Sequence, residues 1–308
     1  MRRPGKGKFA FDPSLEGTYF QGVDEGPVES MERSLPAWLW RAPLPRSYFS
    51  FFGRKILRFI NIIHGLGAFA LITLGVIFTR FRHARHVIFP LLLAQLSRSG
   101  LRLLPMIAFL GLALGLVIIG QTVSLLTRVG ANAYLGTVMV TVVVRELGPL
   151  LTALIVLSRA GTANVVELGT ARALGEVEAL EVLGIDPIHY LVMPRVIGMA
   201  LGMFSLTVYL ILIALASGYL WAFLQDVPLR PGDYFEQLAR ALRGLDFVLL
   251  ALKTCCFGIV IATVTCYYGL AQPLRIEEVS RATVRAVGQS VVICVLVDAL
   301  FIILYLVA

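Results

Sequence analysis

The sequence predicts an all-α integral membrane protein: an N-terminal interfacial elbow helix followed by five transmembrane helices. Three observations carry that expectation. The 308 residues are 58% hydrophobic and 15% charged, with a mean hydropathy of +0.83. A soluble domain of this length could not bury so much apolar surface, so lipid is the expected solvent. Five apolar stretches reach the roughly 20 residues that a spanning helix needs. The basic residues, finally, are gathered ahead of the first stretch: ten Arg and Lys55 fall between Arg33 and Arg102, and no acid falls between Glu32 and Glu146. That bias marks the cytoplasmic flank of membrane helices, which anionic headgroups attract. The neighbouring apolar segments speak against a nucleic-acid partner for the same block.

Taken in order, residues 1–46 are polar, with Gly and Pro throughout and no apolar signal-peptide core. They read as a disordered cytoplasmic tail. Residues 47–85 read as a basic interfacial or elbow helix. Its apolar part, 56–79, follows Arg54, Lys55 and Arg58 and precedes Arg80, Arg82 and Arg85. A span would push one of these clusters outside, whereas a helix in the interface keeps both ends cytoplasmic. A sixth true span is the alternative. Residues 86–308 form the membrane domain, with spans at 103–126, 134–158, 196–224, 247–270 and 286–308. The first basic block then sets the orientation: 127–133 outside, 159–195 inside, 225–246 outside, 271–285 inside, and the C-terminus outside. Gly111 and Gly115, and again Gly198 and Gly202, keep the four-residue spacing that lets helix backbones approach in lipid. Such spacing serves packing within the chain or an interface between subunits. The four cysteines lie in apolar runs and read as small buried hydrophobes.

Charges inside spans are expensive and are functional candidates. Arg145 and Glu146 fall near the middle of the second span, four and three residues before Pro149, which removes a backbone donor and can kink the helix. Neighbouring residues point about 100° apart, so the two cannot simply face one partner. They are either an internal ion-pair staple or a polar patch in a lipid or substrate cavity. Lys253 and Asp298 stand at similar depths from the outer ends of the fourth and fifth spans, which predicts an intramembrane pair; for Lys253, snorkelling to the outer interface is the alternative. These four charges sum to zero.

The inner loop 159–195 is too long for a turn. Gly175 breaks it, and Glu176 to Leu183 carries a helical pattern: Val177 and Leu180 on one side, Glu178 and Glu181 on another. Gly184 and Asp186-Pro187 are expected to end that helix. Lying along the membrane, it would dock a soluble partner or merely connect two spans. No catalytic residue and no metal ligand set is expected: G-x-x-x-x-G-K-[ST], H-E-x-x-H and G-x-S-x-G are all missing. A stand-alone secondary transporter or channel would explain the buried charges but not the acidic inner helix.

The ordered motifs Arg145-Glu146-Leu147-Gly148-Pro149, Arg159-Ala160-Gly161, Glu167-Leu168-Gly169-Thr170, Ala179 through Pro187 and Leu191-Val192-Met193-Pro194-Arg195 resemble the MlaE/YrbE permease family. Ser280-Arg281-Ala282-Thr283 and Asp298 look like further family positions. Gly175-Glu176 and Arg275-Ile276-Glu277-Glu278 depart from it. The resemblance implies a non-catalytic permease subunit of an ATP-driven transporter of phospholipid or related lipid, with sterol or fatty-acid import compatible. It implies a bacterial inner-membrane location, with the N-terminus cytoplasmic and the C-terminus periplasmic. The partners it implies are a second copy of the chain, a cytoplasmic ABC ATPase dimer that binds the ATP, and a periplasmic MCE-domain protein; no cofactor sits on this chain itself. Arg145, Glu146 and Pro149 would lie by the lipid cavity. A coupling segment at about 160–192 would receive the ATPase through Glu167, Gly169, Thr170, Glu176, Glu178, Glu181, Gly184 and Asp186.

Overall fold

A computed structural model describes residues 64–75, 95, 100–131, 134–224, 231–270 and 275–307. The expectations for residues 1–46 and for most of 47–85 lie outside these. The described residues are helical throughout apart from short turns, and five helices are long and apolar enough to cross a membrane. In chain order they are α1 (His64–Gly75), α2 (Leu101–Val129), α3 (Leu135–Ala173), α4 (Glu176–Val182), α5 (Ile188–Trp221), α6 (Pro231–Ala241), α7 (Gly244–Leu270) and α8 (Ile276–Val307). The spans are α2, α3, α5, α7 and α8.

Three spans are longer than the sequence suggested. Helix α3 runs to Ala173 instead of stopping near 158, α5 begins at Ile188 instead of 196, and α8 begins at Ile276 instead of 286. Hydropathy registers the lipid-embedded part of a helix, and these helices continue past it with polar residues. At about 1.5 Å per residue, α3 is about 58 Å long against a hydrocarbon core of about 30 Å. Its last turns therefore stand clear of the bilayer at the end that leads into α4.

The bundle is organised on α7, which packs against α5, α8 and the C-terminal half of α3, while α2 lies on α5. Close approach depends on small residues. A Cβ at Gly115 would collide with Ser217 Oγ and the Ala214 carbonyl of α5, and Gly111 faces the Leu210 carbonyl. The Gly111–Gly115 pair thus serves packing within the chain. Gly115→Val is expected to destabilise the protein by at least about 1–3 kcal/mol, because backbone cannot move aside as a flexible side chain can. A lowered midpoint in a thermal melt of the detergent-solubilised protein would register it.

Helix α1 lays Phe69 on Tyr267, ring centroids 5.8 Å apart, at the C-terminal end of α7. At the opposite end, α6 forms within 225–246, a stretch whose hydropathy predicts a loop. Tyr234 and Leu238, one turn apart, are buried, and α6 covers the start of α3. Tyr234 Oη donates to the Leu215 carbonyl at 3.2 Å, and burial pushes its phenol up to about 12, so it remains a donor. The alternation of Tyr234, Leu238 and Ala241 was the available signal.

Candidate functional site

Helix α3 widens into π-helical turns over Val140–Leu147, directly before Pro149. Proline lacks the N–H that would bond the carbonyl four residues back, and its ring crowds that carbonyl. Here that carbonyl belongs to Arg145, and Lys253 Nζ of α7 donates to it at 2.8 Å. Pro149 thereby creates the acceptor that a buried cation from a neighbouring helix uses.

Lys253 is wholly buried, so it does not snorkel to the outer interface. Its ammonium also donates to Glu146 Oε2 at 3.1 Å and lies 2.7 Å from Asp298 Oδ1 of α8, a contact that is ionic rather than an aligned hydrogen bond. Two hydrogen bonds to α3 and one ion pair to α8 surround the one ammonium. Arg145 turns the other way. Its Nη2 pairs with Asp246 Oδ1 at 2.9 Å, and its guanidinium sits 5.2 Å from the Tyr305 ring centroid. Arg145 and Glu146 are therefore not a staple to each other; each is held by a different partner.

Asp246 was missed by the sequence reading, which placed it in the outer loop. Helix α7 begins earlier than expected, at Gly244, and Asp246 accepts from the Arg243 N–H at its first turn at 2.9 Å. With Asp246 included, the five charges Arg145, Glu146, Asp246, Lys253 and Asp298 sum formally to −1 rather than zero. The Arg145 and Glu146 side chains remain 24% and 30% accessible, whereas Lys253 and Asp298 are 0% and 13%. Arg145 Nε and Tyr305 Oη are buried without hydrogen-bond partners. The cluster thus presents one cation and one anion to the bundle's exterior at about 15 Å from the start of α3, near mid-bilayer.

At the end of the bundle that carries α4, the residues read as one coupling segment separate into two groups. Glu167, Gly169 and Thr170 belong to α3 itself. Glu167 pairs with Arg195 of α5 at 2.9 Å, and Gly169 is buried where α3 meets Gly269 of α7. Asp186 is a cap: its Oδ1 accepts from the Ile188 N–H at 3.0 Å, with Pro187 following, so it starts α5 instead of ending α4. The end of α4 falls at Gly184, where φ is +76° and where Gly184 N–H to Glu181 and Ile185 N–H to Leu180 close a Schellman turn.

What projects is α4. Val177 is buried beneath it, while Glu176, Glu178 and Glu181 are exposed and Glu178 reaches Arg172 at 3.3 Å. Its outer surface is not purely acidic, as the pattern had suggested. Val182 and Leu183 are 87% and 74% exposed, with Leu174 and Ile185 also uncovered beside them. The two left-handed glycines, Gly175 and Gly184, bracket this helix and turn it off the axes of α3 and α5.

The family model described as Permease MlaE matches residues 92–304. A probable ABC transporter permease protein of Rickettsia bellii is 31% identical over 233 residues, 76% of this chain and 89% of that protein. The chloroplastic protein TRIGALACTOSYLDIACYLGLYCEROL 1 of Arabidopsis thaliana is 33% identical over 202 residues, 65% of this chain but 57% of that protein's length. The intermembrane phospholipid transport system permease protein MlaE of Haemophilus influenzae is 26% identical over 246 residues, 78% and 90% of the two chains.

Proposed function

The chain belongs to the MlaE permease family, and from that premise we propose that it is the non-catalytic membrane subunit of an ATP-driven transporter moving phospholipid, or a related lipid, between the inner membrane and the envelope. The observation that carries this reading is the accessible Arg145–Glu146 pair at mid-bilayer depth, backed by Asp246, Tyr305 and Lys253. Lipid offers no other reason to leave such charges uncovered. An accessible cation beside an accessible anion suits a zwitterionic headgroup: phosphate to Arg145, ammonium to Glu146. The relatives named as an intermembrane phospholipid transport permease and as ABC transporter permeases support the same reading.

ATP is bound and hydrolysed by a cytoplasmic ABC ATPase dimer, for which α4 is the docking element. Its exposed Val182 and Leu183 supply apolar anchors, and Glu178 and Glu181 set charge complementarity. Glu167, Gly169, Thr170 and Asp186 act behind it, as the rigid seat that carries its movement into α3 and α5. A second copy of the chain faces the sparsely covered α8, of which 17% is buried in its most apolar window against 56% for α7. An MCE-domain protein sits on the periplasmic side, the N-terminus is cytoplasmic and the C-terminus periplasmic. A stand-alone transporter would have no use for an apolar, acidic knob outside the bilayer.

Arg145→Ala is expected to lower crosslinking of a photoactivatable phosphatidylethanolamine near α3 about tenfold in nanodiscs, the value of one charge-assisted bond. Transport in the reconstituted complex should fall with it. Unchanged crosslinking and transport would remove Arg145 from the lipid path.

A further inference from the structure

At the opposite end of α3 from its start at Leu135 lies a cavity of about 280 Å³, between the beginning of α2 and the end of α3. One face of α3 builds its wall. Arg159, Ala163 and Glu167 follow at four-residue intervals, with Ala160 and Asn164 alongside, and the two alanines hollow the surface between the longer side chains. Arg102 of α2 closes the other side, and Leu103 and Met106 continue it as an apolar wall. Glu167 is countered by Arg195 at 2.9 Å, so two guanidinium groups dominate the cavity.

Asn164 points to a ligand. It is 3% exposed, it lines this cavity, and its Nδ2 has no hydrogen-bond partner. A buried amide donor without an acceptor is costly, and it lies here beside two cations. Together they make a set of donors beside a carboxylate, Glu167, that Arg195 already pairs, the chemistry that receives a phosphate. Arg159 lies about 36 Å along α3 from Leu135, just beyond a hydrocarbon core of about 30 Å, which is headgroup depth.

We infer that Arg102, Arg159 and Asn164 form an inner-leaflet site for the phosphate of an anionic phospholipid, with Leu103 and Met106 against the first part of its acyl chains. The adjoining apolar wall selects a lipid over a free phosphate, and over an acidic side chain of a soluble partner, neither of which would use it. The site stands whether or not lipid travels past Arg145, which is roughly 21 Å away along the same helix. An anionic lipid here would hold α2 and the inner end of α3 together at the level of α4.

The test uses the full-length chain in phosphatidylethanolamine nanodiscs doped with photoactivatable phosphatidylglycerol, with labelled residues mapped by mass spectrometry. Label is expected around residues 102–106 and 159–164. It should fall about tenfold in the Arg102→Gln/Arg159→Gln variant, fall also in Asn164→Leu, stay unchanged in Arg145→Ala, and resist excess inorganic phosphate. Both arginines are exposed, so an unaltered melting temperature for the Gln variant separates lost binding from lost fold. Equal label in the Gln variant overturns the site. Competition by inorganic phosphate makes the ligand an aqueous anion and overturns the lipid assignment. So does loss of ATPase co-purification in the Gln variant with no lipid label in the parent, which would assign the pocket to a protein acid.

Discussion

Lys253→Met is expected to be among the most damaging single substitutions in this chain, lowering stability by about 3–5 kcal/mol. The methionine fills nearly the same volume, so packing is not what is lost. What remains is Glu146 and Asp298, two carboxylates that had shared one ammonium at 3.1 and 2.7 Å, now without a cation, together with the Arg145 carbonyl that Pro149 leaves without a backbone donor. Unfolding of the detergent-solubilised protein should move down by about 10 °C, taking about 2–4 °C per kcal/mol for a chain of this size. Neutralising the acids as well, in Lys253→Met/Glu146→Gln/Asp298→Asn, should restore most of that loss, since a buried charged group can be exchanged for an uncharged one nearly without cost. By the same logic Asp298→Asn alone, which leaves Lys253 paired with Glu146, should be milder than Asp298→Asn with Lys253→Met, which leaves Glu146 without a cation. If the triple variant melts as low as Lys253→Met, the cluster is not an electrostatic unit and the damage lies in packing.

Val182→Asp with Leu183→Asp should leave the permease folded and disconnect it from its ATPase. Both side chains are exposed and project from a helix pinned by the buried Val177 and by the turns at Gly175 and Gly184. Nothing in the fold of this chain therefore depends on them, and the melting temperature should not change. Removing two apolar anchors at the centre of an interface costs about 2 kcal/mol or more, a loss of at least about thirtyfold in affinity. Co-purification of the ATPase should fail and transport should fall with it. Glu178→Lys or Glu181→Lys should weaken docking less, because rim charges mostly steer association. Full ATPase recovery with the double Asp variant would move the contact away from α4.

Much of this was legible in one dimension. Span number, the projecting helix between Gly175 and Gly184, and the unusual charges at 145, 146, 253 and 298 all follow from hydropathy, glycine position and the cost of charge in lipid. The misplaced helix boundaries share one cause. The polar ends of α3, α5 and α8, and the whole of α6, escape a hydropathy window while keeping helical geometry. Asp186 was assigned to the end of α4 because Asp-Pro both stops one helix and caps the next, and only the bond to the Ile188 N–H distinguishes the two roles.

By itself the sequence determined that this chain lives in a membrane, how often it crosses, and which residues lipid would not tolerate without partners; those are properties of composition and helix length, additive along the chain. Tertiary structure alone decided who the partners are. Arg145 pairs with Asp246, 101 positions away, and Lys253 gathers Glu146, Asp298 and the Arg145 carbonyl from two other helices. The rotation of each helix about its axis settles which side chains meet. That rotation is set by small residues such as Gly115 meeting their neighbours' backbones, which no periodicity within a single helix encodes.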